Sequence, residues 1–210
     1  RYGSDSFWLA GFALDGGPRN SRALDLGTGS GIIAFLLAGQ GVQVLGIDVQ
    51  EEWCPYWRRS LSDSQVSGSI RLEVGDIDQI AGGDRSGFDL VVSNPPFFPQ
   101  GTGALPANPL KARAKFESSA TLARFVEVGL AAMARDGRYC LVIPVTREAE
   151  VTSAAAKMGA GVVRWVRVNG HRTIMELARS TGFKADILEV ASDGELARQW
   201  YALACGPSVQ

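Results

Sequence analysis

The chain has 210 residues, 46% of them hydrophobic, which suits a single domain over residues 1–210 with a complete core. No apolar stretch nears the ~20 uncharged residues of a membrane span, residues 1–5 lack a secretory signal's basic start and apolar run, and three widely spaced cysteines (Cys54, Cys140, Cys205) without a Cys-x-x-Cys pair point to reduced thiols in the cytoplasm, against a disulfide framework or zinc site. A formal net charge of −1 excludes a uniformly basic nucleic-acid binder, so any phosphate contact has to come from a local patch.

The first strand expected along the chain is Ala23-Leu24-Asp25-Leu26, followed by Gly27-Thr28-Gly29-Ser30-Gly31 and a helix over 32–39. Strand, glycine-rich turn and helix form the nucleotide-cofactor arrangement of doubly wound sheets, where glycine lets a ligand approach the backbone. The spacing departs from the dinucleotide fingerprint, whose third glycine would fall at Ile32. Glycine at every second position, with Asp25 two residues ahead of the first, fits S-adenosylmethionine better, since that cofactor has no pyrophosphate to seat on a helix N-terminus. A second strand over 42–47 runs to Asp48, placed with Val49 beside it to accept both ribose hydroxyls. In the helix expected over 51–61, Trp53, Tyr56 and Trp57 read in two ways. They form a base-stacking platform, or they cover the core and the adenine side of the pocket from a helix started near Pro55. A third strand, 70–74, leads to Gly75-Asp76-Ile77, where Asp76 can accept from the adenine amine while Ile77 packs on its ring.

The fourth strand, Phe88 to Ser93, closes on Asn94-Pro95-Pro96-Phe97. Its plain reading is a strand that ends in a Pro-Pro turn. With two strand-end acids and a glycine turn upstream, it reads instead as a pocket for a planar amine. The prolines stiffen the backbone and remove two N–H donors, carbonyls are left to accept from an exocyclic NH2, and the Phe97 ring can stack on the attached base. Residues 99–110, rich in Pro and Gly, form a long loop beside this strand. Lys111, Arg113 and Lys115 follow as candidate phosphate contacts, with solvated surface charge as the alternative. Arg58 with Arg59, and Arg164, Arg167 and Arg172, are further candidates, although strand alternation sends Arg164 and Arg167 to opposite faces. Helices are expected over 119–134 and 147–158, with a strand ending near Pro144 between them. Extended runs over 162–168 and 172–179 flank Asn169-Gly170-His171, a favoured hairpin turn. Another extended piece over 184–190 and a helix or short strand over 195–204 end the chain. His171, the only histidine, reads as an exposed turn residue and leaves no multi-histidine metal site. The expected fold is α/β, a doubly wound, mostly parallel sheet of seven strands with an antiparallel hairpin at its C-terminal end.

These features resemble the Rossmann-like S-adenosylmethionine-dependent methyltransferases, in the branch that carries Asn-Pro-Pro-Phe/Tyr and methylates amino groups. The chain is most similar to the bacterial tRNA adenine-N6 methyltransferases that modify the adenosine 3′ of the anticodon in valine tRNA. The likeness rests on Tyr2-Gly3-Ser4-Asp5, on Leu24 through Ala34, on Gly46-Ile47-Asp48, and on Val92 through Phe98 with Gly101. It continues through Ala112-Arg113-Ala114-Lys115-Phe116-Glu117 and a tail from Asp193-Gly194-Glu195 to Trp200-Tyr201-Ala202-Leu203, so it covers nearly the whole chain. One departure stands out: Lys115-Phe116 precede Glu117 where the family often has Ala-Arg-His-Glu. The resemblance implies that Gly27, Thr28, Gly29 and Gly31 cradle the cofactor, that Asp25 holds this turn or contacts the methionine amine, and that Ser4 and Asp5 close the methionine end.

The chemistry expected of such a site concerns the acceptor. A sulfonium methyl donor needs neither metal nor covalent nucleophile, whereas an adenine amine has its lone pair delocalised into the ring. If the Asn94 side-chain oxygen and the Pro95 carbonyl each accept one N–H, the lone pair is directed outward, and charge growing on nitrogen strengthens the same bonds. Such a pocket takes an unpaired or flipped base, as an anticodon loop presents. The expected partner is therefore RNA, above all tRNA. The rival acceptors are guanine N2 in ribosomal RNA, adenine in DNA and a glutamine amide in a protein such as a release factor. A module that binds RNA or cofactor without catalysis is the remaining alternative.

Overall fold

The computed structural model describes residues 3–17, 21–80, 86–96, 121–179 and 185–206. Along them come α1 (Ser4–Asp15), β1 (Arg22–Leu26), α2 (Ile32–Ala38), β2 (Gln43–Asp48), α3 (Cys54–Asp63), β3 (Ile70–Val74) and β4 (Phe88–Ser93). There follow α4 (Leu122–Ala132), β5 (Met133–Pro144), α5 (Glu148–Lys157), β6 (Gly161–Val168), β7 (Arg172–Ala178), β8 (Ile187–Val190) and α6 (Glu195–Cys205). The strands make one eight-stranded sheet in the order β3-β2-β1-β4-β5-β7-β6-β8.

Strand alternation builds a core on each face. Leu24, Leu26, Val91, Tyr139 and Leu141 point to the side covered by α4 and α5, while Ala23, Leu90, Val92, Cys140 and Val142 point to α1, α2 and α6. Continuous apolar runs such as Leu90-Val91-Val92 mark strands buried on both faces, as a parallel sheet under helices requires. From β1 the chain winds outward through β2 and β3, then returns to lay β4 on the other side of β1. That reversal opens a crevice at the carboxyl ends of β1 and β4, where ligands bind in open α/β sheets.

The closing hairpin is present, with β7 antiparallel to both β5 and β6. Asn169 and Gly170 turn it with φ of 50° and 64°, left-handed values that this pair tolerates. The strand count differs from expectation: the sheet has eight strands, not seven. The extra one, β8, runs parallel to β6 from Trp165↔Ile187 to Val168↔Val190. Ile187, Leu188 and Glu189 are exposed at the sheet edge, so the segment lacks the alternation that marks a half-buried strand. The helix expected over 51–61 divides into a 3-10 turn, Glu51–Trp53, and α3, with Pro55 in the first turn of α3.

Helix α1 has no clear signature in the sequence. Leu9, Ala10, Gly11, Phe12 and Ala13 are consecutive and all buried, so no stripe of period 3.6 stands out. The helix is wedged between the sheet and α6: a Cβ on Gly11 would collide with the backbone of Trp200, Phe12 meets the Trp200 ring edge-on at 5.3 Å, and Phe7 stacks on Tyr201 at 4.8 Å. No helix among the described residues is long and apolar enough to cross a membrane.

Candidate active site

β1 ends at Leu26, level with Ile47 of β2 and Ser93 of β4. The next residues form a loop that only glycine enters cheaply: Gly27, Gly29 and Gly31 have φ of 70°, 54° and 86°, where an L side chain costs about 1–2 kcal/mol. The loop is tied down from below. The amides of Gly27 and Thr28 both donate to Ile47 O, at 2.9 and 3.0 Å, and the Trp57 indole N–H donates to Gly29 O at 2.8 Å. A Cβ on Gly27 would press on Phe125 Cε1 at 3.1 Å, whereas one on Gly29 would meet nothing within 4 Å. Gly29 therefore faces the open side of the loop, where a ligand can lie against the backbone.

Asp25, just inside β1, is fully buried and accepts from Thr28 Oγ1 at 2.6 Å through Oδ2, so it holds the turn from within. Burial pushes its carboxyl up to about 7, against the Thr28 bond and with a further upward push from the nearby Asp48. Thr28 thus points its hydroxyl into the protein. Gly46 makes room for it, since a Cβ there would stand 2.9 Å from Thr28 Oγ1. Asp48, at the end of β2, is 6% exposed and bridges two segments, accepting from Gly29 N at 2.8 Å and from Gln50 N at 2.9 Å. Burial raises its pKa too. Val49 beside it is 46% exposed. Asp76, beyond β3, caps a 3-10 turn by accepting from Asp78 N at 3.0 Å, and Ile77 is buried in the core beside Ile47 and Ile80.

Asn94 and Pro96 are half-buried and Pro95 is buried just past β4. Because β2 and β4 flank β1, with strands ~4.8 Å apart, Asp48 and Asn94 stand ~10 Å apart across the glycine loop. Ser4 and Asp5 begin α1, and Asp5 Oδ2 accepts from Arg172 Nε at 2.9 Å. Arg172 is level with Pro144 at the carboxyl end of β5, two strands away from Asn94. Phe97, Lys111, Arg113, Lys115 and the loop over 99–110 lie outside the described residues. The arginines of the closing strands do not form the basic patch that the sequence allowed. Arg164 pairs with Asp15 (3.0 Å) and Glu176 (3.2 Å), Arg167 with Glu148 (2.6 Å) and Glu189 (3.4 Å), and Arg172 with Asp5. Arg164 faces α1 and Arg167 faces α5, on opposite sides of the sheet.

Four buried side-chain polar atoms among the described residues lack a hydrogen-bond partner, and three belong to this region: Asp25 Oδ1, Gln50 Oε1 and Trp53 Nε1. Buried polar atoms are nearly always satisfied, so a cluster of exceptions marks a place built for something else to complete. S-adenosylmethionine fits the donor set. Its ribose diol, adenine amine and ammonium are hydrogen-bond donors, and the strand ends offer Asp48, Asp76 and Gln50 Oε1 as acceptors. The two backbone bonds to Asp48 use two of about four lone-pair sites on a carboxylate. Gln50 and Gly46 join the site from the structure, not from the sequence reading. Gly46 was findable, because glycine in mid-strand marks the close approach of another group, while the Gln50 orphan depends on its folded surroundings. Among the described residues no three His, Cys, Asp or Glu side chains gather as a metal site would need.

Comparison with known proteins bears on this arrangement. Residues 23–103 match the methyltransferase domain family. The tRNA1(Val) (adenine(37)-N6)-methyltransferase of Escherichia coli O157:H7 is 26% identical over 162 residues, covering 76% of this chain and 64% of the relative's length. Among solved structures, an Agrobacterium tumefaciens protein described as a predicted O-methyltransferase superposes with a TM-score of 0.67 at 18% identity, over 97% of this chain and 98% of that one. The glycopeptide N-methyltransferase MtfA, solved with S-adenosylmethionine, has a TM-score of 0.60 at 13% identity, over 85% and 96%. The match to the methyltransferase domain family spans residues 23–103, and the chain has the Rossmann-like fold of these solved structures.

Proposed function

We propose that this chain is an S-adenosylmethionine-dependent N-methyltransferase acting on an exocyclic amine, N6 of an unpaired adenosine in tRNA. The observation that carries the reading is the placement of Asn94-Pro95-Pro96 and Asp48 at neighbouring strand ends on either side of an open glycine loop. The cofactor would supply an electrophilic methyl group. Gly27, Gly29, Asp48 and Asp76 would hold it, and Asp25 keeps the loop in shape through Thr28.

Asn94 acts on the acceptor. Its side-chain oxygen and the Pro95 carbonyl each accept one N–H of the amine, which turns the nitrogen lone pair out of the ring. Positive charge growing on nitrogen strengthens both bonds in the transition state, so they lower the barrier more than they tighten binding. Phe97 stacks on the base, a contact worth about 1–3 kcal/mol in single-stranded recognition. The proton leaves to solvent once nitrogen is cationic, and no side chain has to remove it beforehand. The name of the Escherichia coli relative, a tRNA1(Val) (adenine(37)-N6)-methyltransferase, supports adenine in tRNA as the class of acceptor.

Transfer of a radiolabelled methyl group to three acceptors tests the reading: unmodified tRNA, ribosomal RNA and release-factor protein. Label in tRNA as N6-methyladenosine is expected. Label only in protein, as N5-methylglutamine, or only in ribosomal RNA, as N2-methylguanosine, would overturn it.

A further inference from the structure

Beneath the Asn94 turn lies a buried hydrogen-bond relay that none of the roles above uses. Ser93, the last residue of β4, is fully buried and its Oγ lies 2.7 Å from the Tyr139 hydroxyl of β5. Tyr139, also fully buried, donates to Phe125 O of α4 at 3.2 Å. A phenol has one proton and a carbonyl can only accept, so both bonds exist together only when Ser93 donates to Tyr139 and Tyr139 donates to Phe125. The direction of the relay is therefore set, running from the strand end into the helix.

Two further details show that the fold makes room for this relay. Gly129 on α4 has no side chain where a Cβ would collide with the Tyr139 ring, so the helix is notched for the phenol. The ring of Phe125, whose carbonyl ends the relay, sits directly under the glycine loop, 3.1 Å from where a Gly27 Cβ would be. One buried unit thus touches both halves of the site, the residue before Asn94 and the first glycine of the loop. Burial holds the Tyr139 hydroxyl well above its usual pKa, with the Ser93 bond opposing, so the phenol is neutral at pH 7.

We propose that Tyr139 is a positioning residue: through Ser93 it fixes the carboxyl end of β4 against α4, and so holds Asn94 where its oxygen can meet the acceptor amine. The proposal rests on the reading that Asn94 acts on that amine. A misplacement of about 1 Å at a reacting group can cost on the order of 100-fold in rate, so a bond one residue upstream suffices to matter.

The test uses Tyr139→Phe, Ser93→Ala and their double variant in the full chain, with Asn94→Ala alongside. The acceptor is an in vitro transcript of valine tRNA. Each single variant is expected to lower kcat about 10-fold or more while changing KM for the transcript and Kd for S-adenosylmethionine less than about 2-fold. The double variant should fall no further than the singles, as members of one chain of bonds do. The Asn94 side-chain amide, whose two inequivalent protons share one nitrogen resonance in the NMR spectrum, should shift or broaden in both single variants relative to wild type. A lowered Tm with kcat and the Asn94 amide unchanged would make the relay structural only and overturn the proposal. Should Tyr139→Phe not fold, Ser93→Ala decides by the same two readouts. Turnover by Asn94→Ala equal to wild type would instead overturn the underlying reading of Asn94. Were the wild type not to methylate the transcript, the amide resonance alone would decide whether Tyr139 sets the position of Asn94.

Discussion

The two ends of the sheet treat buried charge in opposite ways. At the β1–β2 end, Asp25 sits fully buried with one oxygen unpartnered, and burial pushes its pKa up to about 7. At the β6–β7 end, burial also pushes Glu148 upward, but bonds from Arg167 and Trp165 overcome it and hold the carboxyl below its usual range. Glu176 is likewise met by Arg138 at 3.1 Å and Arg164 at 3.2 Å, and those arginines cap α1 by donating to Ala13 O and Phe12 O. At one end the buried carboxylates Glu148 and Glu176 are met by the protein's own arginines, and at the other Asp25 Oδ1, Gln50 Oε1 and Trp53 Nε1 have no partner. The closing strands meet their own buried carboxylates, and in the proposed reading the strand ends of the first half hold the cofactor.

The sharpest way to break this contrast is at the satisfied end. Glu176→Ala takes a shared buried carboxylate from Arg138 and Arg164, leaving Ala13 O to the first and Asp15 and Phe12 O to the second. The loss is therefore expected below the about 3–5 kcal/mol of a buried charge left wholly unpartnered. Urea unfolding should show that loss, with S-adenosylmethionine affinity of the folded fraction unchanged. At the other end, Asp48→Ala should leave most of the stability and weaken cofactor binding by about 1–3 kcal/mol, roughly 10- to 100-fold by calorimetry.

Stability against pH separates the two acids. The folded pKa of Asp25 is raised from 3.8 to about 7, so the folded state holds its proton longer than the unfolded chain does. Its contribution is complete below pH ~4 and is lost as pH rises through 7, with a slope of up to about 1.4 kcal/mol per pH unit. Asp25→Asn should flatten that fall between pH 4 and 7. Glu148 has the opposite sign: its lowered pKa contributes stability above the unfolded value of 4.5 that is lost on acidification. Glu148→Gln should lower stability at pH 7 and converge with wild type in acid. The smallest expected effect is at the proposed phosphate contacts. Neutralising Lys111, Arg113 and Lys115 together should reduce the salt slope of tRNA binding by about 0.7 for each phosphate no longer neutralised, without changing cofactor affinity.

Much of this contrast was legible in the chain, but unevenly. The strand ends at Leu26, Asp48 and Ser93, the glycine loop and the Asn169-Gly170 turn are local features, each spelled by residues a few positions apart. Helix α1 was not legible, because a helix wedged between sheet and helix is apolar on several sides and lacks a periodic stripe. β8 was legible only as an extended piece, since its pairing with β6 is an edge contact and no core face records it. The ion pairs that satisfy the closing strands join residues far apart, Arg164 to Asp15 across 149 positions, and no local pattern announces them. Ser93 and Tyr139, 46 positions apart, are hidden for the same reason.

The central claim, that the strand ends separate a cofactor site from an acceptor amide one strand away on either side of the glycine loop, is tested most directly on Asn94→Ala. Cofactor affinity by calorimetry and methyl transfer to valine tRNA, measured on the same preparations as wild type, should diverge. Affinity should stay within about 2-fold, and kcat should fall at least ~100-fold, the pattern of an interaction made in the transition state. Near-wild-type turnover by Asn94→Ala would contradict the claim.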